Sequence, residues 1–304
     1  MSQQALVTLQ IPDDLTISSV DVQIAMDSVS WPDSMTNIYR GFYRGQPARF
    51  KELRPLHCYV QAGVGVRSIL LLIAFLRRQH PSSRHVPISG VYQEDASLGG
   101  RVFLVESPYR YVGLREYIAA NPGAERRLLL KRALEIIVDL HSRGLVHGIV
   151  RSKSFVVDSS GKLLLSEFEM MRMEDPNTPF HPIGGLSVAT MAFAAPELLD
   201  SLRSNGSAPL TKAADMYSMG CFAYELFTGK APFVPNERHT SHMAQVELIT
   251  AVVDHNTRPE RPPPGSNAQP HSHLTGEVWG VIEECWDPVP ASRPSAVDLL
   301  RRLH

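Results

Sequence analysis

The rhythm of hydrophobic and polar positions changes partway along this chain. Before residue 107 the apolar residues come mainly in short runs punctuated by Pro, Asp and Gly. After it they recur at helical spacing. Ile38-Tyr39-Arg40 and Ala48-Arg49-Phe50-Lys51 read as strands of a hairpin around Gly41 and Gly45. Val102-Phe103-Leu104-Val105 reads as a buried strand. Gly65 to Arg78 departs from this rhythm: it is apolar on almost every side and predicts a helix that is buried or covered by a partner. Ser107-Pro108 ends the strand-rich part. Beyond it, Ala124 to Arg143 carries Leu128, Leu129, Leu130, Ala133, Ile136, Ile137 and Leu140 as a helical stripe, closed by Gly144. Asp215 to Thr228 (closed by Gly229), Glu277 to Cys285 and Ser295 to Leu303 predict three more helices. Strands first and helices later argue for an α+β fold with segregated layers.

The length, 304 residues, suits one large domain in two lobes. The expected division is an N-terminal extension at 1–18 and a domain at 19–304, with lobes of about 19–107 and about 108–304. A net charge of −1 gives no electrostatic case for nucleic acid or for an anionic membrane surface. Cys58, Cys221 and Cys285 are far apart among apolar neighbours, which predicts reduced, buried thiols in a cytoplasmic protein. The apolar run Ile69 to Leu76 is too short to span a bilayer. No histidine pair has the companions of a zinc site, and no metal is expected from spacing.

Chemistry enters with four landmarks in order. Lys51 ends Ala48-Arg49-Phe50-Lys51. His147-Gly148-Ile149-Val150-Arg151-Ser152-Lys153-Ser154 follows a helix. Leu165-Ser166-Glu167-Phe168-Glu169 comes next, and then Ala195-Pro196-Glu197. Asp215 opens a helix, and Arg293-Pro294-Ser295 lies near the end. This order resembles the protein kinases, and in detail their tyrosine-kinase-like serine/threonine branch. The resemblance implies a bilobal fold with a small, mainly β N-lobe and a larger, mainly α C-lobe. It also implies structural roles. His147 and Phe168 would stand in the hydrophobic column between the lobes. Asp215 would bond the catalytic-loop backbone, and Glu197 would pair with Arg293.

The departures fall on the chemistry. In the family's His-Arg-Asp, the Asp accepts the proton of the attacking hydroxyl, and a later Asn holds magnesium. Ile149 stands at the base position and Ser154 at the Asn position. Glu167 replaces the metal-binding Asp of Asp-Phe-Gly, and its extra methylene displaces the carboxylate by more than ~1 Å. Gly148 replaces an arginine that grips activation-segment phosphates, so phosphate on Thr178, Ser187 or Thr190 would lack that clamp. Trp31, Asp33 and Thr36 fall where the phosphate-covering loop has glycines. Arg49 replaces the alanine that lies flat against adenine, and burying it unpaired would be costly. No Asp or Glu lies between Leu53 and Gln93, so Lys51 lacks its usual helix-borne anion.

The resulting expectation is a pseudokinase: a signalling scaffold or allosteric regulator acting through protein-protein contacts. No catalytic residue is assigned and no cofactor is expected. Its partner would be another signalling protein, such as an active kinase, and neither nucleic acid nor membrane. Two alternatives stay open. One is a weak or atypical ATP-dependent serine/threonine kinase. The other is a non-catalytic ATP-binding switch. In either, Lys51 and Glu167 would hold ATP and magnesium.

Overall fold

A computed structural model describes residues 11–25, 37–52, 84–95, 100–167, 170–175, 186–204, 208–233, 241–263 and 274–303. The expected helix at 65–78 lies outside the described residues, as do Trp31, Asp33, Thr36, Cys58, Phe168, Glu169 and Thr178. The chain divides into two units, residues 1–110 and 111–304.

The described residues of unit 1 include a six-stranded sheet built from β1 (Thr16–Ile17), β2 (Val22–Ile24), β3 (Asn37–Tyr43), β4 (Gln46–Glu52), β5 (Ile88–Gln93) and β6 (Val102–Glu106). Their spatial order is β1-β5-β6-β4-β3-β2. The β3–β4 hairpin turns at Arg44 and Gly45, both with positive φ, which suits the right-handed twist of its strands. Side chains alternate between the two faces. One face carries an aromatic core of Tyr39, Phe50, Tyr92 and Phe103 with Ala48 and Val105. The rings of Tyr39 and Phe50 meet Phe103 edge-on, while Tyr92 stacks on it. Lys51, Arg49, Leu104 and Glu106 occupy the opposite face, as the cross-strand pairs Lys51–Leu104 and Arg49–Glu106 require.

The first described residues are not a free extension. Leu15 is 1% exposed, and Thr16 and Ile17 pair in parallel with Val91 and Tyr92 at one sheet edge. Residues 22–24 pair with β3 at the other edge. Ile17, Val22 and Ile24 all pack on the aromatic core, so residues 15–24 strap across that face from edge to edge. Two glycines on the same face admit the strap. A Cβ at Gly90 would come within 2.4 Å of the Leu15 carbonyl oxygen, and one at Gly41 within 2.0 Å of the Gln23 carbonyl oxygen.

Unit 2 is mainly helical, with α1 (Leu114–Ala120), α2 (Arg126–Ser142), α3 (Val188–Met191), α4 (Pro196–Ser204), α5 (Lys212–Thr228), α6 (Ser241–Ile249), α7 (Gly276–Cys285) and α8 (Ala296–Arg302). Helix α2 buries the predicted stripe except for Leu128, which is 45% exposed. Helix α5 starts one turn before Asp215, because the Thr211 hydroxyl accepts the Ala214 N–H as its cap. Gly229, with φ 71°, closes it. Every residue from Ala214 to Thr228 is buried, so α5 is the central helix of this unit.

Candidate functional site

In unit 1 the residue to follow is Lys51. It is 1% exposed, and its Nζ lies 3.3 Å from Glu106 Oε1. The sequence predicts no helix-borne anion for Lys51, and the structure supplies a carboxylate from elsewhere. Glu106 stands on β6, next to the strand of Lys51. Arg49 does not stay unpaired either. Its Nε donates to Glu106 Oε2 at 2.6 Å and its Nη1 to the Tyr109 hydroxyl at 2.9 Å, while the guanidinium stacks 4.3 Å from the Tyr109 ring centre. Burial raises the Tyr109 phenol pKa, and the facing Arg49 partly offsets the rise. Two cations thus converge on one carboxylate whose side chain is wholly buried. The sheet register explains the set: Arg49 is opposite Glu106, and Lys51 is two residues along on the same face. This cross-strand pairing has no local sequence signal.

In unit 2 a second set surrounds the loop after β7 (Leu145–Val146). Helix α5 holds the loop by its backbone. Asp215 accepts the N–H groups of His147 and Gly148 at 2.8 and 2.7 Å, and it also pairs with His141 Nε2 at 2.9 Å. The Ser218 hydroxyl accepts the Val150 N–H at 3.0 Å. Glu225 accepts both the N–H (3.0 Å) and the hydroxyl (2.6 Å) of Ser152, and Arg115 pairs with it. Positions 215, 218 and 225 lie on one face of the helix. Ser218 and Glu225 were missed from sequence. Polar residues at that spacing in an otherwise apolar helix were the available signal.

The loop these bonds shape has Ile149 2% exposed. Gly148 takes φ +101°, and a Cβ there would press on Met170 and Leu210 at 3.1 and 3.2 Å. An arginine on this backbone would be strained.

Glu167 and Ser154 come together, with an unforeseen third member. The Arg151 guanidinium donates to Glu167 through Nε (3.2 Å to Oε2) and Nη2 (3.1 Å to Oε1). Its Nη1 reaches the Thr190 hydroxyl at 2.9 Å. The Ser154 hydroxyl donates to Glu167 Oε2 at 3.1 Å. Both carboxylate oxygens therefore face a guanidinium. A divalent cation on the same oxygens would stand against that positive charge, and magnesium demands close, near-octahedral ligands. These residues suit arginine and do not suit magnesium. Among the described residues, no group of three or more His, Cys, Asp or Glu side chains is placed to hold a metal ion.

Away from both sets, Arg293 donates through both terminal nitrogens to Glu197 at 2.8 Å each, and it also reaches the Ala213 carbonyl.

A sheet-first, helix-later chain with Lys51 on a strand, a loop tied to Asp215 and a Glu197–Arg293 fork defines a class. The family model for the protein kinase domain matches residues 90–303. This chain belongs to the protein kinase domain family. The match begins at β5 and leaves out the strand that carries Lys51. Among curated relatives, Kinase suppressor of Ras A from Caenorhabditis elegans is 23% identical over 187 residues, which is 59% of this chain but 22% of that protein. Serine/threonine-protein kinase mos from Patiria pectinifera is 27% identical, covering 92% of this chain and 74% of the relative. The pig mos proto-oncogene kinase (Sus scrofa) is 25% identical, covering 97% and 84%. No helix among the described residues is long and apolar enough to cross a membrane.

Proposed function

We propose that this chain is a catalytically impaired protein kinase domain that acts by binding other signalling proteins, an active kinase among them, as a scaffold or allosteric regulator in the cytoplasm. The observation that carries this reading is the occupation of the Lys51 face. Where the family uses a bare alanine and a lysine to receive adenine and phosphates, this chain has Arg49, Lys51 and Tyr109 gathered on Glu106. Freeing Lys51 for a phosphate would leave Glu106 buried with one partner fewer, which is costly. Ile149 supports the same reading, because a hydrocarbon accepts no proton at the base position. Phosphoryl transfer needs positioning and charge neutralisation together, so losing one part costs orders of magnitude in rate. The protein-binding role is what remains for a domain in which Asp215 still bonds the 147–148 backbone and Glu197 still pairs with Arg293.

Two measurements test this. A ligand at a hundred times its dissociation constant stabilises the folded state by about 2.7 kcal/mol. Thermal unfolding with ATP, with and without magnesium, is expected to give no such shift. Incubation with γ-labelled ATP and a generic acceptor protein is expected to transfer no label. Transfer that disappears in Lys51→Met would overturn the proposal, and a shift without transfer would replace it with an ATP-binding switch.

A further inference from the structure

We propose that Arg151 is a built-in cation standing where the family places its magnesium ion, and that it holds the 186–191 segment in its folded form without nucleotide. The inference deepens the catalytically impaired reading and rests on it. Three separate stretches of chain meet at this guanidinium. Arg151 lies on the loop tied to α5. Glu167 follows β8 (Leu163–Leu165), and Thr190 belongs to α3. The loop end is itself braced. The Arg151 N–H donates to the Ser154 hydroxyl at 3.2 Å, which donates onward to Glu167, and the Ser166 N–H donates to the Ser154 carbonyl at 2.8 Å. Beyond Thr190, the Ser187 hydroxyl lies 3.0 Å from the Thr190 hydroxyl and accepts the Thr190 N–H, so the start of α3 is part of the same chain of bonds.

Arginine suits this position for a geometric reason. Its planar fork sends Nε and Nη2 to one carboxylate while Nη1 points elsewhere, here to Thr190. A single ammonium cannot serve both. The guanidinium also stays charged at every physiological pH. In a magnesium-dependent relative, order at this carboxylate would rise and fall with the ion and its nucleotide. With a covalently attached cation it is constant. The 186–191 segment is then presented in one conformation to any protein partner.

Hydrogen exchange on the full chain tests this. In Arg151→Met, amides of residues 186–191 are expected to exchange at least about tenfold faster, while α5 amides keep their protection. Manganese chloride, against matched sodium chloride, is expected to leave wild type unchanged. It should restore part of the protection in Arg151→Met, but not in Arg151→Met with Glu167→Gln. Arg151→Lys covers the case where the methionine variant fails to fold. It keeps the charge, loses the second arm, and should still loosen 186–191. Unchanged exchange at 186–191 in these variants would overturn the link. A Glu167-dependent manganese response in wild type, or none in Arg151→Met, would overturn the idea that the two cations are interchangeable. None of these outcomes depends on label transfer from ATP, so a failure here and a failure of the proposed function are told apart.

Discussion

Lys51 and Glu106 form an ion pair across adjacent strands, 3.3 Å apart, with both side chains closed to solvent. Arg49 shares the same carboxylate. A buried pair adds little net stability when intact, but removing one member leaves the other charged without compensation.

Glu106→Gln should therefore cost about 3–5 kcal/mol, because two cations lose their buried counter-charge at once. The midpoint of urea unfolding, followed by an amide or fluorescence signal from unit 1, measures this. A change under 1 kcal/mol would mean that Arg49 and Lys51 find another anion.

Gly148 offers a second test. At φ +101° an L-residue is strained, and Met170 and Leu210 already fill the space where its Cβ would go. Gly148→Ala should destabilise by about 1–3 kcal/mol. Gly148→Arg, which restores the residue common in active relatives, should be worse. The combined change Gly148→Arg with Ile149→Asp should lower the melting temperature and still transfer no label. A stable, active double variant would contradict both points.

The strap across the aromatic face depends on Gly41 and Gly90 in the same way. Gly41→Ala brings a methyl within 2.0 Å of the Gln23 carbonyl oxygen, which neither backbone can absorb without moving. The expected cost is about 1–3 kcal/mol, the usual range for an overpacked site. Faster hydrogen exchange at residues 15–24, with α5 unaffected, would locate the damage. Uniform exchange across unit 2 as well would argue against a local strap.

The two described thiols set a limit at high pH. Burial pushes Cys221 from its ordinary 9.0 up to about 12, and burial raises Cys285 as well. The unfolded chain loses these protons near pH 9, while the folded chain keeps them. Stability is therefore intact below about pH 9 and falls as pH rises from there towards 12. Each thiol contributes up to about 1.4 kcal/mol per pH unit over that range. Urea midpoints between pH 8 and 10.5 measure the slope. Cys221→Ala should flatten it, and both native thiols should resist a thiol reagent at pH 8.

Local patterning made much of the fold readable. The stripe from Leu129 to Leu140 predicted α2 because a helix repeats its buried face every three to four residues. Val102 to Val105 predicted β6, and Gly229 marked the end of α5. The motif order placed Asp215 beneath the loop and Glu197 opposite Arg293, because the resemblance carried their spatial relation. Leu128 was misplaced as core, since periodicity alone leaves the rim of a stripe uncertain by one residue.

The sequence by itself determined which side chains stand at the positions the resemblance marks: a hydrocarbon at 149 and a glycine at 148 are facts of composition at given positions. Tertiary structure alone decided which charged groups meet Lys51 and Glu167. Glu106 reaches Lys51 only through strand register, and Arg151 reaches Glu167 and Thr190 only once three distant stretches are folded together. Ion-pair partners far apart in the sequence leave no periodic trace, because the forces that join them act through space rather than along the chain.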